Sequence, residues 1–222
     1  MTAVLAAKSF DSLVKRLRDK LGAPEPLPLD LKDQFLWSFL LWEASVADAE
    51  RAMKKVQGAF IDVNELRVSL VEEIVAVIGP RYPRAEERAK RLKEALHSLF
   101  LREHAIGFDH LKEMPKRAAR QYIESLDGIP PFVSGRMALL GLGGHATPLD
   151  ERMLGALIDE EVFEEGVALD AAAAALERHV KATDAVETHM LLLNLCEHAP
   201  ARRPAKPKAK SAKKAGAKAK KD

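Results

Sequence analysis

Cysteine is nearly absent from this chain: Cys196 is the only one in 222 residues. A lone cysteine excludes an intramolecular disulfide framework and fits a reducing cytoplasm. Long apolar runs are missing too. The most hydrophobic stretch, Phe35 to Trp42, is interrupted by Ser38 and followed by Glu43, well short of the roughly 18 to 20 residues that span a bilayer. No membrane association is therefore expected. The opening Met1 to Lys8 lacks a basic leader and turns amphipathic, so it is not expected to act as a signal peptide. No segment alternates as a strand does, and no internal repeat is visible. His145 and His189 have no partners at metal-ligand spacing, and neither a metal nor another cofactor is expected.

What is present is apolar and charged residues in nearly helical order. With 47% hydrophobic residues, the chain is long enough for one substantial core or two small helical subdomains sharing a cleft. The formal charge of +2 hides a division. From Ala199 onward, ten Lys and Arg face Asp222 alone, a net of +9, which leaves the first 198 residues at −7. A Lys/Ala/Pro composition cannot build a core, so residues 199–222 are expected to form a disordered tail. Lys206, Lys208, Lys210, Lys213 and Lys214 are its candidate phosphate contacts, binding without regard to sequence. An acidic body needs such a tail if it is to approach a polyanion from a distance.

Helical spacing runs along most of the rest. Val4, Leu5, Leu13, Val14, Leu17 and Leu21 predict a helix over Ala3 to Leu21, ended by Gly22, with Pro24, Pro26 and Pro28 forming an extended connector. Further helices are predicted from Asp30 to about Ser45, Asp48 to Gly58, Leu70 to Ile78 and Arg84 to about His104. Ser69 to Glu72 has the spacing of a capping box for the Leu70 helix. Later helices follow near Glu151 to Ile158, Asp170 to Val180 and Asp184 to Glu197. The fold class expected is all-α, divided into an N-terminal helix and connector (1–29), a helical domain (30–198) and the tail (199–222).

Leu126-Asp127-Gly128-Ile129-Pro130-Pro131 lies between helix-forming stretches and reads as a tight hairpin. Pro148-Leu149-Asp150 follows across an apolar helix and displays a carboxylate. The arrangement resembles the helix-hairpin-helix and following Asp of the endonuclease III-like DNA glycosylases, whose hairpin is Leu-Pro-Gly-Val-Gly-x-Lys-Thr-Ala. Ile78-Gly79-Pro80-Arg81-Tyr82-Pro83-Arg84-Ala85 is similar to that family's Ile-Gly-x-Tyr-x-x-Lys-Ala, and Thr188 to Leu193 is similar to its His-containing late helix. The likeness runs from about Leu31 to Cys196. It implies two helical subdomains with a cleft between them, acting as a monomer on double-stranded DNA in the cytoplasm, on the nucleoid if the cell is bacterial.

Each residue has its own chemistry. A hairpin of this kind binds a phosphate through free backbone N–H groups, and Pro130 and Pro131 have none, so the donors expected are those of Gly128, Ile129, Phe132 and Val133. Asp150 is the candidate catalytic carboxylate, able to stabilise the positive charge that builds on a sugar as its glycosidic bond breaks. It is also well placed as an ordinary helix N-cap, and both roles can hold. Phe132 stands at the family's Lys position and carries no amine for a Schiff base. With Cys196 alone, the family's iron–sulfur cluster is excluded. The family's Gln-bearing loop is replaced around Trp42 and Glu43; Trp42 is a candidate base wedge or a core residue, and Glu43 a candidate second acid/base. The function expected is base excision by a monofunctional DNA glycosylase with no lyase step. The alternative is a helix-hairpin-helix DNA-binding protein that has lost its chemistry.

Overall fold

A computed structural model describes residues 3–22 and 24–198. Among these residues are eleven α-helices and no strand: α1 (Ala7–Leu21), α2 (Leu31–Leu41), α3 (Val46–Ala59), α4 (Val63–Val68), α5 (Val71–Ile78), α6 (Ala85–Glu103), α7 (Lys116–Glu124), α8 (Pro131–Arg136), α9 (Glu151–Asp159), α10 (Leu169–His179) and α11 (Ala185–His198). A 3-10 segment, Asp109–Glu113, leads into α7, and α8 runs on into a π-helical turn, Met137–Gly141. The basic residues of 199–222, including Lys206, Lys208, Lys210, Lys213 and Lys214, lie outside the described residues.

Helix α2 organises the molecule. Nine of its eleven residues are buried, including polar Gln34 and Ser38, because it is apolar on every side and must be surrounded. On one side it meets α3 and α6, with α4 and α5 packed behind them. On the other it meets α8 and the π-helical turn, behind which lie α7, α9, α10 and α11. Helix α1 packs on α11 through Phe10, Leu13 and Leu17, and Arg18 forms a double hydrogen bond with Glu187. Burying each of those three side chains stabilises the fold by about 1.5–3 kcal/mol.

Helix boundaries follow the capping residues. Asp30, Ser45 and Asp62 accept from backbone N–H groups in the first turns of α2, α3 and α4. Some sequence expectations change, among them the start of α1, at Ala7 rather than Ala3. Helix α2 ends at Leu41 rather than Ser45, because Glu43 takes a left-handed conformation (φ 58°) and Ser45 is spent on capping α3. Ser69 is not the cap of α5: its hydroxyl donates to the Glu65 carbonyl and closes α4. Glu73 still folds back on the Leu70 amide, which is half of a capping box. Helix α4 itself has no apolar period long enough to be read from sequence.

Candidate active site

Asp150 and Glu43 meet where the two halves of the fold join on α2. Asp150 is the N-cap of α9, 2% exposed, and its Oδ1 accepts from the Met153 amide at 2.9 Å. Its Oδ2 accepts from the Glu43 amide, also at 2.9 Å. Glu43 returns the contact: its Oε1 accepts from the Glu151 amide at 3.1 Å. Each carboxylate is thus held on the backbone of the other's segment. Burial pushes the Asp150 carboxyl above the usual range, and the two amides, with the α9 dipole, draw it back. The Glu43 carboxyl is also raised, first by burial and then by the charge of Asp150.

Backbone strain is concentrated at this point. Among the described residues four non-glycine residues have positive φ, and two of them, Glu43 and Arg84, face each other with Arg84 Nη2 3.8 Å from Glu43 Oε1. Such conformations cost about 1–3 kcal/mol each and persist only where the surroundings enforce them. Arg88 does much of the enforcing. Its buried guanidinium donates to the carbonyls of Phe39, Trp42 and Pro83, satisfying the end of α2 and tying it to the turn before α6. Burial holds its pKa down to about 10. Arg152 anchors the other end by donating to the Ala44 carbonyl, and Glu197 accepts from the Val46 amide.

The hairpin is built differently from its sequence expectation. Pro131 occupies the first position of α8, and Gly128 has φ 73°, as a tight turn requires. Yet the Gly128 Cα faces helix α6: a Cβ there would stand 2.8 Å from the Arg91 carbonyl and from the Glu94 side chain. The Ile129 amide bonds to Leu126 and the Val133 amide to Pro130, so neither donor is free for a phosphate. Phe132 and Val133 are core residues, with 1% and 0% of their surface exposed, and neither side chain can touch DNA. The expected phosphate donors at Ile129 and Val133 are engaged within the turn, whereas at Phe132 burial concerns the side chain and not the backbone N–H expected to donate.

Phe132 packs among buried polar groups. Its ring lies 6.1 Å from His189 and 5.7 Å from the Arg136 guanidinium. Arg136 donates to His189 Nε2 at 2.5 Å and to Ser38 Oγ at 3.3 Å. Burial lowers the pKa of Arg136 to about 9, with Asp150 acting in the opposite sense. Burial and then Arg136 push the His189 pKa well down, so the ring is neutral and accepts from the guanidinium. His145 is held away from the site by the Glu177 carbonyl, 2.9 Å from its Nε2. Trp42 is 7% exposed and covered by arginines, which removes it as a base wedge. Among the described residues no metal-ligating group of His, Cys, Asp and Glu forms. A surface hollow of about 580 Å³ lies between the residues before α1 and the end of α9, another of about 390 Å³ lies along α1, and neither is lined by Asp150 or Glu43.

No protein-family model matches this sequence, and no curated protein matches it. Solved structures do match. A trapped covalent intermediate of endonuclease III with DNA aligns with a TM-score of 0.70 at 11% identity, over 93% of this chain and 94% of that one. A thermostable thymine-DNA glycosylase aligns at 0.62 and 16% identity, over 89% of each chain. The 3-methyladenine DNA glycosylase of H. pylori, bound to 1,N6-ethenoadenine, aligns at 0.55 and 18%, over 85% of this chain and 97% of that one. The fold is that of the helix-hairpin-helix DNA glycosylases. Within this glycosylase fold, Phe132 lies on α8 one turn before Arg136, and Asp150 opens α9, in the order the sequence resemblance implied. Arg84, Arg88, Arg136 and Arg152 escaped the sequence reading. Nothing in a uniformly charged helix such as α6 marks which of its arginines faces inward.

Proposed function

We propose that this chain is a DNA glycosylase that hydrolyses the bond between a base and its sugar and leaves the strand uncut. The observation that carries the reading is the Asp150–Glu43 pair, two carboxylates crosslinked through each other's backbone on the glycosylase fold. Both Asp150 oxygens accept N–H bonds, which suits the ionised form, a counter-charge for the sugar cation as the base departs. Glu43 Oε2 takes no hydrogen bond among the described residues, and its carboxyl is raised, which suits a proton donor. Two neighbouring carboxyls with unequal surroundings divide the roles of anion and acid. Phe132 supplies no amine, so the Schiff-base route to strand cleavage has no nucleophile at that position. The partner is double-stranded DNA, with the basic residues of 199–222 supplying long-range attraction.

One observation favours a second reading, a DNA-binding protein without chemistry: Asp150 is buried with both oxygens already engaged. A single-turnover assay separates the two. Duplexes carrying uracil, oxidised, alkylated or mismatched bases are incubated with the protein and then treated with alkali to reveal abasic sites. A glycosylase yields abasic sites on at least one lesion, and Asp150→Asn slows that yield by about 100-fold or more. Tight duplex binding with no abasic sites on any lesion supports the second reading and refutes the first.

A further inference from the structure

Three guanidinium groups crowd one indole beside the carboxylate pair. Arg84, Arg88 and Arg91 lie 5.2, 5.6 and 5.7 Å from the Trp42 ring. Arg88 is spent on backbone carbonyls, but Arg84 and Arg91 keep 41% and 38% of their side chains exposed. Only Glu87 stands between those two, accepting from Arg84 Nη1 at 2.8 Å and from Arg91 Nε at 2.9 Å. The exposed edge therefore presents two cations bridged by one carboxylate, with Glu43 and Glu151 also acting on Arg84 from its inner side, on a body whose formal charge is −7. The contacts continue in both directions. Arg91 Nη1 donates to the Gly128 carbonyl in the hairpin turn at 3.4 Å. Arg84 Nη2 reaches Glu43 Oε1 at 3.8 Å, too long for a hydrogen bond, and Glu43 holds Asp150.

Building on the DNA reading above, we propose that Arg84 and Arg91, laid against Trp42, bind a phosphodiester of the duplex backbone, and that seating it draws Arg84 off Glu43, which takes up a proton from solvent. A guanidinium braced on an aromatic face has already lost part of its freedom, and its planar fork matches phosphate oxygens bidentately. The Arg84–Glu43 contact is loose at 3.8 Å and its arginine is exposed although Glu43 is largely buried, so an incoming phosphate can draw the guanidinium away without breaking a hydrogen bond. Glu43 is faced by Asp150, Glu151 and Arg152 from the start of α9, and by Arg84, Glu87 and Arg88 from α6. Removing Arg84 from that set leaves three acids against two bases, and a phosphate adds a further negative charge. The protonated form of Glu43 gains. The acid is thereby loaded when DNA is in place.

Because the complex holds one proton more than the free protein, affinity for duplex rises as pH falls. The test measures binding of the full chain to an undamaged fluorescein-labelled duplex from about pH 4.5, the ordinary glutamate value, up to about pH 8. The result expected is a gain in affinity across that range about tenfold larger for the wild type than for Glu43→Gln, the effect of a one-unit rise in the Glu43 pKa. Arg84→Gln binds more weakly at every pH and lacks the extra gain, whereas Arg84→Lys retains it. Parallel pH profiles for wild type and Glu43→Gln overturn the proton coupling. Wild-type affinity in both Arg84→Gln and Arg91→Gln overturns the phosphate site. A full chain with no affinity for duplex refutes the DNA reading and this proposal with it. The readout is affinity for intact duplex, so it is independent of whether any base is excised.

Discussion

Replacing Gly128 by alanine tests whether the hairpin turn is built for a ligand or for helix α6. Gly128 has φ 73°, a conformation that costs an L-residue about 1–2 kcal/mol. Its added Cβ would also stand 2.8 Å from the Arg91 carbonyl, which is α6 backbone and cannot rotate aside, and equally close to Glu94 Cβ. Overpacking of this sort adds about 1–3 kcal/mol. The sum is about 2–5 kcal/mol, and at about 2–4 °C per kcal/mol for a chain of this size the melting temperature falls by about 4–20 °C. Gly79→Ala is the matched control: it too has positive φ (106°), but nothing lies within 4 Å of its Cβ. Its loss is the conformational part alone. Thermal unfolding followed by circular dichroism measures both variants. A Gly128→Ala protein that melts no lower than Gly79→Ala refutes the packing of the turn on α6, and leaves the glycine there for the approach of a ligand.

Other outcomes follow from the same structure. Glu43 has a folded-state pKa above its unfolded value, so the native protein binds more protons and this group's contribution to stability falls as pH rises from the unfolded pKa through the raised one. Glu43→Gln should therefore gain stability relative to the wild type as pH rises to neutrality, measured by urea titration along a pH series; an unchanging difference refutes a carboxyl raised by burial and by Asp150. Arg88→Met leaves the carbonyls of Phe39, Trp42 and Pro83 without their donor inside the core, and unfolding in urea should show a loss of about 3 kcal/mol or more. Burial pushes the Cys196 thiol up to about 12, so at mildly alkaline pH mass spectrometry should find it unlabelled by iodoacetamide until the chain is unfolded.

Much of the fold was legible because it depends on neighbours in the chain. The helical spacing of Leu13 and Leu17, the helix start at Asp30 and the Pro131 helix start are local features that operate in any tertiary setting. The short helix α4 was invisible, since six residues carry too little period, and Ser69 was misread because two helices competed for one hydroxyl. At the candidate site the division is similar. Asp150 was legible as a helix cap and as a carboxylate in family register. That Glu43 would lie against it across a separation of 107 residues was not, although its place in the stretch that replaces the family's Gln-bearing loop made it worth naming.

By itself, the sequence determined an all-helical chain, a hairpin with proline at its helix start, a carboxylate kept where an amine is lost, and charge divided between body and tail. Each of these rests on residue identity and short-range spacing. Only the tertiary structure decided which way the groups point: Gly128 toward α6, Phe132 into the core with Arg136 and His189, and Arg84 over Trp42 toward Glu43. The physical reason is that burial, and with it every shifted carboxyl and arginine here, is set by residues distant in sequence. The coupling of Asp150 to Glu43 exists only once α2 and α9 have been packed end to end.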